Sequence, residues 1–403
     1  MKKSHIDWCP VIPDHWEEKR IKDIAFLQSG NSITAMDIAE EGKYPVYGGN
    51  GLRGYTNNYT YDGDYILIGR QGALCGNINY AYGKFYATEH AVVVYTKNEE
   101  ITYWLGETLK AANLNRLSMT AAQPGLAVST LNIQFIPYPP RKERIRIANY
   151  LAEKCTEIDT QMSLLTSKRD AYLRLKKSII NHAVTRGLDP NVKMKDSGIE
   201  WIGEVPEHWE VKRMKDICAL SPNIKSCSEY EYGSYLPMEG LRLDQIETSD
   251  ELVSTLQGKY TPFEDNDLLV AKVTPCFENG NIAIAKGLTN GVGFGSSEIF
   301  VLRANKYNNI RFLFYMSLSS KFQDKACATM CGVGGLKRIS PLFMKTYIMA
   351  IPPSTEQRAI ATYLDDKCAK IDTIVSNLDK QISRYADLKR SLIDEVITGK
   401  RAV

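Results

Sequence analysis

No run of about 18 apolar residues occurs in the 403-residue chain, which excludes a membrane-spanning helix. Met1-Lys2-Lys3 is followed by polar Ser4, His5 and Asp7, where a secretory signal needs an apolar run, so a cytoplasmic location is expected. There is no Gly-x4-Gly-Lys-Ser/Thr phosphate loop, which excludes the common ATP motor. The Asn/Asp-Pro-Pro-aromatic tetrapeptide of amino-methyltransferases is missing too, since Pro139-Pro140 and Pro352-Pro353 run on into Arg141 and Ser354. Histidines number only five; His15 and His208 each stand beside a tryptophan, and His90 and His182 are alone. No Ser-His-Asp or Cys-His arrangement can be built from that spacing. The nine cysteines are odd in number and scattered, and only Cys327 and Cys331 lie close together, so reduced thiols are expected and metal ligation is not.

Two further patterns resemble sites and lose on context. Gly291-Val292-Gly293-Phe294-Gly295 would have to lead into a helix to cradle a phosphate, and strand-like Glu298-Ile299-Phe300-Val301 follows instead. Asp14 with Glu17-x-Lys19, and Glu207 with Glu210-x-Lys212, are spaced too tightly to surround one Mg²⁺ from neighbouring strands, so solvated charges beside a packing tryptophan are expected.

Positive charge is localised. The net charge is +3, but residues 141–187 carry 11 basic against 5 acidic side chains, whereas 1–140 carry 12 against 14, 188–352 carry 18 against 20, and 353–403 carry 9 against 8.

What the chain does have is self-similarity. Pro13-Asp14-His15-Trp16-Glu17-Glu18-Lys19-Arg20-Ile21-Lys22-Asp23-Ile24 recurs 193 residues later as Pro206-Glu207-His208-Trp209-Glu210-Val211-Lys212-Arg213-Met214-Lys215-Asp216-Ile217. Residues 139–185 align without gaps to 352–398, an offset of 213. The chain is therefore two copies of one plan: an opening motif, a variable body and a terminal block.

The terminal blocks read as long helices. Leu151, Ile158, Leu165, Tyr172 and Ile179 fall seven apart, as do Leu364, Ile371, Leu378, Tyr385 and Leu392, with Met162, Leu175, Val375 and Ile382 widening the stripe. A heptad repeat over about four turns of the pattern predicts a coiled coil, and the repeat itself is the natural partner of each stripe. Ser354 with Gln357 is a candidate capping box, and Gly187 with Pro190 closes the first helix. At about 1.5 Å per residue, some 42 residues span about 63 Å.

The variable bodies hold short β-rich runs, such as Tyr65-Ile66-Leu67-Ile68 and Leu268-Leu269-Val270-Ala271, broken by glycine turns, with helices expected near 101–117 and 309–326. The expected fold class is α+β: two repeated bodies separated by two long antiparallel helices forming a coiled coil, pseudo-two-fold within one chain. The expected boundaries are 1–140 for the first body, 141–187 for the first helix, 188–352 for the second body and 353–403 for the second helix. The bodies share a frame but align poorly, which implies one scaffold with two different ligand surfaces.

Polar residues on glycine-bounded loops are the candidate contacts. In the first body these are Asn50, Arg53, Tyr55, Asn57, Asn58, Arg70 and Gln71; in the second, Arg242, Lys272, Lys286, Asn290, Lys337 and Arg338. Arg, Asn and Gln can form paired hydrogen bonds with guanine and adenine edges, while Lys positions phosphates. The basic run Arg141, Lys142, Arg144 and Arg146 could neutralise phosphates as well, although a solvated helix face is the commoner explanation of such a run.

The whole chain resembles the specificity subunit of type I restriction–modification systems. The matching pieces are Ile199-Glu200-Trp201-Ile202-Gly203-Glu204-Val205-Pro206-Glu207-His208-Trp209, Tyr44-Pro45-Val46-Tyr47-Gly48-Gly49-Asn50-Gly51, Ile68-Gly69-Arg70-Gln71-Gly72, Ala87-Thr88-Glu89-His90, Pro275-Cys276-Phe277-Glu278-Asn279-Gly280 and Gly295-Ser296-Ser297-Glu298. The Ile-Pro-Pro-x2-Glu-Gln-Arg pattern at 351–358 is similar too, and the first copy departs from it with Arg144 at the place of Gln357. The resemblance implies that each body is a target recognition domain reading half of a split double-stranded DNA target, with the helices as spacer. It implies two modification (methyltransferase) subunits as partners, which bring S-adenosylmethionine, and two restriction subunits with ATP and Mg²⁺ that could join. No cofactor is expected on this chain, and catalysis is expected on the partners. The alternatives are the specificity subunit of a modification-only system and a coiled-coil adaptor that does not read DNA.

Overall fold

The computed structural model describes residues 1–72, 74–96, 101–118, 125–222, 224, 229–333 and 335–403. It comprises two compact units, Met1–Thr166 with Lys380–Val403, and Ser167–Asp379. The long helices are Arg141–Arg186 and Ser354–Ile397, so each unit holds one α+β body, part of the first helix and part of the second.

In the first unit, Tyr65–Gly69 is a central strand between Ala91–Thr96 and Ile78–Ala81, with Ala25–Ser29 at the far edge. Alternation along the strand serves two cores. Ile66 and Ile68 face Trp104, Leu105 and the helix residues Ile147, Leu151, Ile158, Leu392 and Val396. Leu67 faces the other way, onto Tyr61, Phe85 and Ala87. These last residues belong to a second sheet, ordered Gly51–Thr56, Tyr44–Gly48, Lys84–Ala87, Tyr61–Asp62, in which Lys84–Ala87 runs parallel to Tyr44–Gly48. At about 1.5–3 kcal/mol for each buried Val, Leu, Ile or Phe, the two faces of one strand tie both sheets together.

The second unit repeats this plan strand for strand. Leu268–Ala271 lies between Ile299–Ala304 and Ile282–Ile284, with Cys218–Leu220 at the edge. Its other sheet is ordered Ser249–Leu252, Tyr232–Leu236, Val292–Gly295, Thr261–Glu264, again with one parallel pair, Tyr232–Leu236 with Val292–Gly295. The glycine-rich run is thus a strand over Val292–Gly295, entered from a turn at Gly291. A Cβ on Gly293 would stand 2.4 Å from the Phe263 ring, so that glycine makes room for an aromatic side chain. The predicted helices are found at Thr102–Ala111 and at Ile310–Ser317 with Ser320–Ala328.

Each opening motif fastens a body to the long helices. In the first unit the His15 Nε2 and Trp16 Nε1 groups each lie 2.8 Å from a Glu143 carboxylate oxygen, in the first turn of the first helix. In the second unit His208 and Trp209 hold Glu356 in the same way, at 2.7 and 3.2 Å. The ends of the helices meet the same tryptophans. Gly187 (φ +78°) and Gly399 (φ +70°) take the left-handed turn glycine permits, and Cβ atoms there would stand 3.5 Å from Trp209 and 3.1 Å from Trp16.

The heptad stripe is an inner face. Leu151, Ile158, Leu364, Ile371, Leu378 and Leu392 are buried, and Leu165, Tyr172, Ile179 and Tyr385 are half-buried. The helix segments run antiparallel within each unit. In the first, Asp159 pairs with Lys389 and Tyr150 lies under Arg401; in the second, Arg169 pairs with Asp379 and Lys176 with Asp372. Leu175 corrects the widened stripe: it is 46% exposed, as is its repeat partner Leu388 at 53%. Gln357 corrects the capping box, because its side chain bonds the Pro352 carbonyl, Asn308 and the Asn309 N–H instead of returning to Ser354.

Candidate nucleic-acid interface

Arg70 and Lys272 are the first residues beyond the two central strands, Tyr65–Gly69 and Leu268–Ala271. The Arg70 N–H donates to the His90 carbonyl at 3.0 Å, and its own carbonyl accepts from the Leu126 N–H at 2.9 Å. Lys272 repeats both bonds, to the Glu298 carbonyl at 2.8 Å and from the Ile339 N–H at 2.9 Å. The next residues, Gln71 and Val273, bridge to Gly125 and Arg338. Two poorly aligned bodies therefore place a cation at one and the same position of their frame.

The surroundings of these cations differ. Around Arg70, Nη1 donates to Ser29 Oγ at 3.0 Å. Arg70 Nε, Glu89 Oε2, His90 Nδ1 and Asn79 Nδ2 are buried and, among the described residues, without a hydrogen-bond partner. Native interiors leave few such groups, and a set of them beside one rim fits a ligand that completes their bonding. The Gly48–Gly51 turn crosses this rim closely: a Cβ on Gly69 would lie 1.9 Å from the Gly49 carbonyl oxygen. Asn77 donates to Asn50 Oδ1 there at 3.1 Å.

Around Lys272 the polar groups are paired. Its Nζ donates to the Ser297 carbonyl at 2.7 Å and sits 4.7 Å from the Phe300 ring centroid. Burial pushes its amine below the ordinary lysine value, against the opposing pull of Glu298. Arg338 grips the Glu298 carboxylate with Nε and Nη2 at 2.9 and 3.1 Å. Lys337 and Arg338 lie on an exposed strand of the hairpin Cys331–Val333/Leu336–Arg338.

The structure thus gathers Asn50, Arg70 and Gln71 at one rim and Lys272, Lys337 and Arg338 at another. Tyr55, Asn57 and Asn58 line a separate cleft of about 620 Å³ with Ser32, Thr34 and Tyr86. Arg53 lies along Gly48, and Arg242 is exposed on a two-residue strand. Lys286 and Asn290 stand apart. The Ala285 carbonyl accepts from the Asn266 N–H, at the other end of the central strand from Lys272, about 20 Å away at about 3.3 Å per residue. Asn290 donates to the Tyr232 carbonyl at 3.0 Å and braces its own sheet. Arg144 leaves the basic helix run: it is 5% exposed, lies 4.1 Å from the Tyr138 ring centroid and donates to the Pro139 carbonyl.

Sequence reasoning passed over Asn77, Asn79, Glu89, His90 and Glu298. The Ala87–His90 and Gly295–Glu298 motifs marked the place, but nothing in the sequence pairs them with residues some twenty positions away. Among the described residues, no cluster of His, Cys, Asp or Glu is placed to hold a metal ion, and no helix is long and apolar enough to cross a membrane.

The fold is thus a duplicated α+β body with a cation at each central strand end. The chain belongs to the family described as the type I restriction modification DNA specificity domain, which matches residues 13–163 and 206–384. It is similar to the specificity subunit of type I restriction enzyme EcoprrI from Escherichia coli, 42% identical over 139 residues that cover 34% of this chain and 35% of that one. The chain thus matches about a third of that relative's length. It is also similar to the MjaVIII specificity subunit of Methanocaldococcus jannaschii, 22% identical over 415 residues covering 96% of this chain and 93% of that one. A chain solved in work on complex assembly and conformational transition of the type I R-M system shares the fold, with a TM-score of 0.68 at 13% identity, covering 97% of this chain and all of that one.

Proposed function

We propose that this chain is the DNA-recognition subunit of a type I restriction–modification complex, each body reading one half of a split target and the long helices fixing the gap. The observation that carries this reading is the equivalence of Arg70 and Lys272: one cation kept at the strand end, with different polar groups around it. Cations at fixed positions suit phosphates, which set register, and the variable groups beside them suit base edges, which set sequence. Two modification subunits dock on the outer helix faces, where the repeat partners Leu175 and Leu388 offer exposed apolar surface. S-adenosylmethionine, and ATP with Mg²⁺ when restriction subunits join, act on those partners, and this chain contributes recognition without catalysis in the cytoplasm.

The test is binding of the chain, complexed with its modification subunits, to a library of duplexes across a salt series. Enrichment of two short sequences at a fixed separation, with affinity falling as salt rises, supports the proposal. Binding insensitive to both sequence and salt would leave an adaptor role instead.

A further inference from the structure

Inside the second unit, Arg311 joins three elements. It projects from the helix Ile310–Ser317. Its Nε donates to Asp365 Oδ1 at 2.7 Å, on the second long helix. Its Nη2 donates to Asp244 Oδ2 at 2.7 Å, and Nη1 bonds the other oxygen of that carboxylate. Asp244 sits at the tip between strands Leu241–Arg242 and Gln245–Ile246, and its N–H is fastened to the Ile282 carbonyl at 2.8 Å. Tyr315, one turn further along, donates its hydroxyl to the same Asp365 oxygen at 2.7 Å. One guanidinium thus ties the sheet edge of the body to its long helix through paired, directional bonds.

A second tie lies eight residues back along that helix. Gln357 accepts from the Asn309 N–H at 2.7 Å and donates to Asn308 Oδ1 at 3.0 Å. Eight residues of helix span about 12 Å. Two polar ties that far apart resist rotation of the body about the helix, which apolar packing alone resists weakly because it has no direction.

The first body lacks this arrangement. Its strand Ala91–Thr96 precedes Ile299–Ala304 by 208 residues, and by the same interval Tyr103 stands for Arg311 and Glu107 for Tyr315. The helix residue corresponding to Asp365 is Ala152, by the 213-residue repeat. Glu107 is buried and bonds Tyr80 at 2.9 Å and Lys110 at 2.6 Å, both inside the body. Among the described residues, no ion pair joins Thr102–Ala111 to the first long helix. The two meet through a hydrogen bond between Tyr103 and Cys155 and through Arg144, 5.7 Å from the Trp104 ring centroid, so the charged fork is particular to the second body.

We propose that Arg311 is a positioning residue that latches the second recognition body to its long helix and so sets how sharply gap length is discriminated. This rests on the recognition role proposed above. A strand of five to six residues is about 20 Å long, so a tilt of about 10° moves a loop at its end by about 3.5 Å. That is about one base-pair step of 3.4 Å, enough to bring a target with one base pair too many or too few into reach.

The experiment uses the full chain assembled with its modification subunits. Binding is measured on duplexes with the preferred gap, with that gap changed by one base pair either way, and with single base changes inside each half-site. For Arg311→Met and Asp365→Asn, the preference for the correct gap is expected to fall about tenfold, as for loss of one charged hydrogen bond, while the base-change penalties stay as they are. Arg311→Lys keeps the charge without the fork and should fall between. An unchanged gap preference in both Arg311→Met and Asp365→Asn overturns the proposal. So does a parallel loss of gap and base discrimination, which marks general support of the fold. If Arg311→Met fails to fold, Asp365→Asn decides alone. A wild-type complex with no gap preference sinks the recognition role itself, and the wild-type arm alone reveals that.

Discussion

Lys389 Nζ donates to both carboxylate oxygens of Asp159 at 2.7 Å, and Lys176 does the same to Asp372 at the same distance. Under the 213-residue repeat, Asp159 becomes Asp372 and Lys176 becomes Lys389. One pair of repeat positions, 17 residues apart, thus serves both units with the helices exchanging roles. Apolar heptads permit slippage by whole heptads; charges at fixed places on both helices favour one register.

Because these pairs are partly exposed, their energy is modest. Asp159→Lys alone sets like charges together and should cost about 0.2–1 kcal/mol, and Asp159→Lys with Lys389→Asp should recover most of that. Thermal unfolding of the single and double variants checks it, and the recovery should shrink as salt is raised.

The register also dictates how the helices can be lengthened. A heptad inserted after Leu165 and another after Leu378 leave both ion pairs opposed, and should lengthen the preferred gap by about 10.5 Å, or about 3 base pairs. Insertion into one helix alone breaks the shared register and should destabilise the chain. Gap preference and melting of the three variants provide the measurement.

Acid should loosen the first body from its helix. Partial burial alone would raise the Glu143 carboxyl, but the hydrogen bonds from Trp16 and His15 outweigh it and hold the group below the ordinary carboxylate value. A carboxyl lowered by folding adds stability above its unfolded pKa and loses it as pH falls through the folded value. Glu143→Ala leaves the buried Trp16 N–H without its acceptor and should cost about 1–3 kcal/mol near neutrality. Glu143→Gln keeps an acceptor but no charge, so its melting temperature should approach that of the wild type as the pH drops below the carboxylate range.

If Arg70 and Lys272 hold phosphates, Arg70→Gln and Lys272→Gln should weaken binding to every duplex alike. Each should lower the steepness of log affinity against log salt by about 1. The recognised sequence should not change. Relaxed specificity at one base position would instead make the altered residue a base reader.

The duplication and the heptad stripes were legible because periodicity and repetition are written along the chain. Arg70 and Lys272 could be chosen from side-chain chemistry, but their equivalence could not: the bonds that reveal it join residues 20 to 67 positions apart, in bodies whose sequences have diverged. Lys286 and Asn290 look like loop contacts in sequence, yet strand pairing carries Lys286 to the opposite end of the central strand, and Asn290 is taken up by the Tyr232 carbonyl of the other sheet. Leu175 fits the heptad flank and still faces out, since a helix in a two-helix pairing covers only a narrow stripe. Arg311 reads as one polar residue in an apolar helix, and only the fold brings Asp244 and Asp365 to it.

The most direct test of the central claim is the methylome of a host expressing this chain together with its modification subunit, compared with the same host lacking the chain. Methylation of a split motif, two short defined halves around a constant gap, appearing only when the chain is present, is the predicted result. Methylation unchanged by removing the chain would contradict the recognition role.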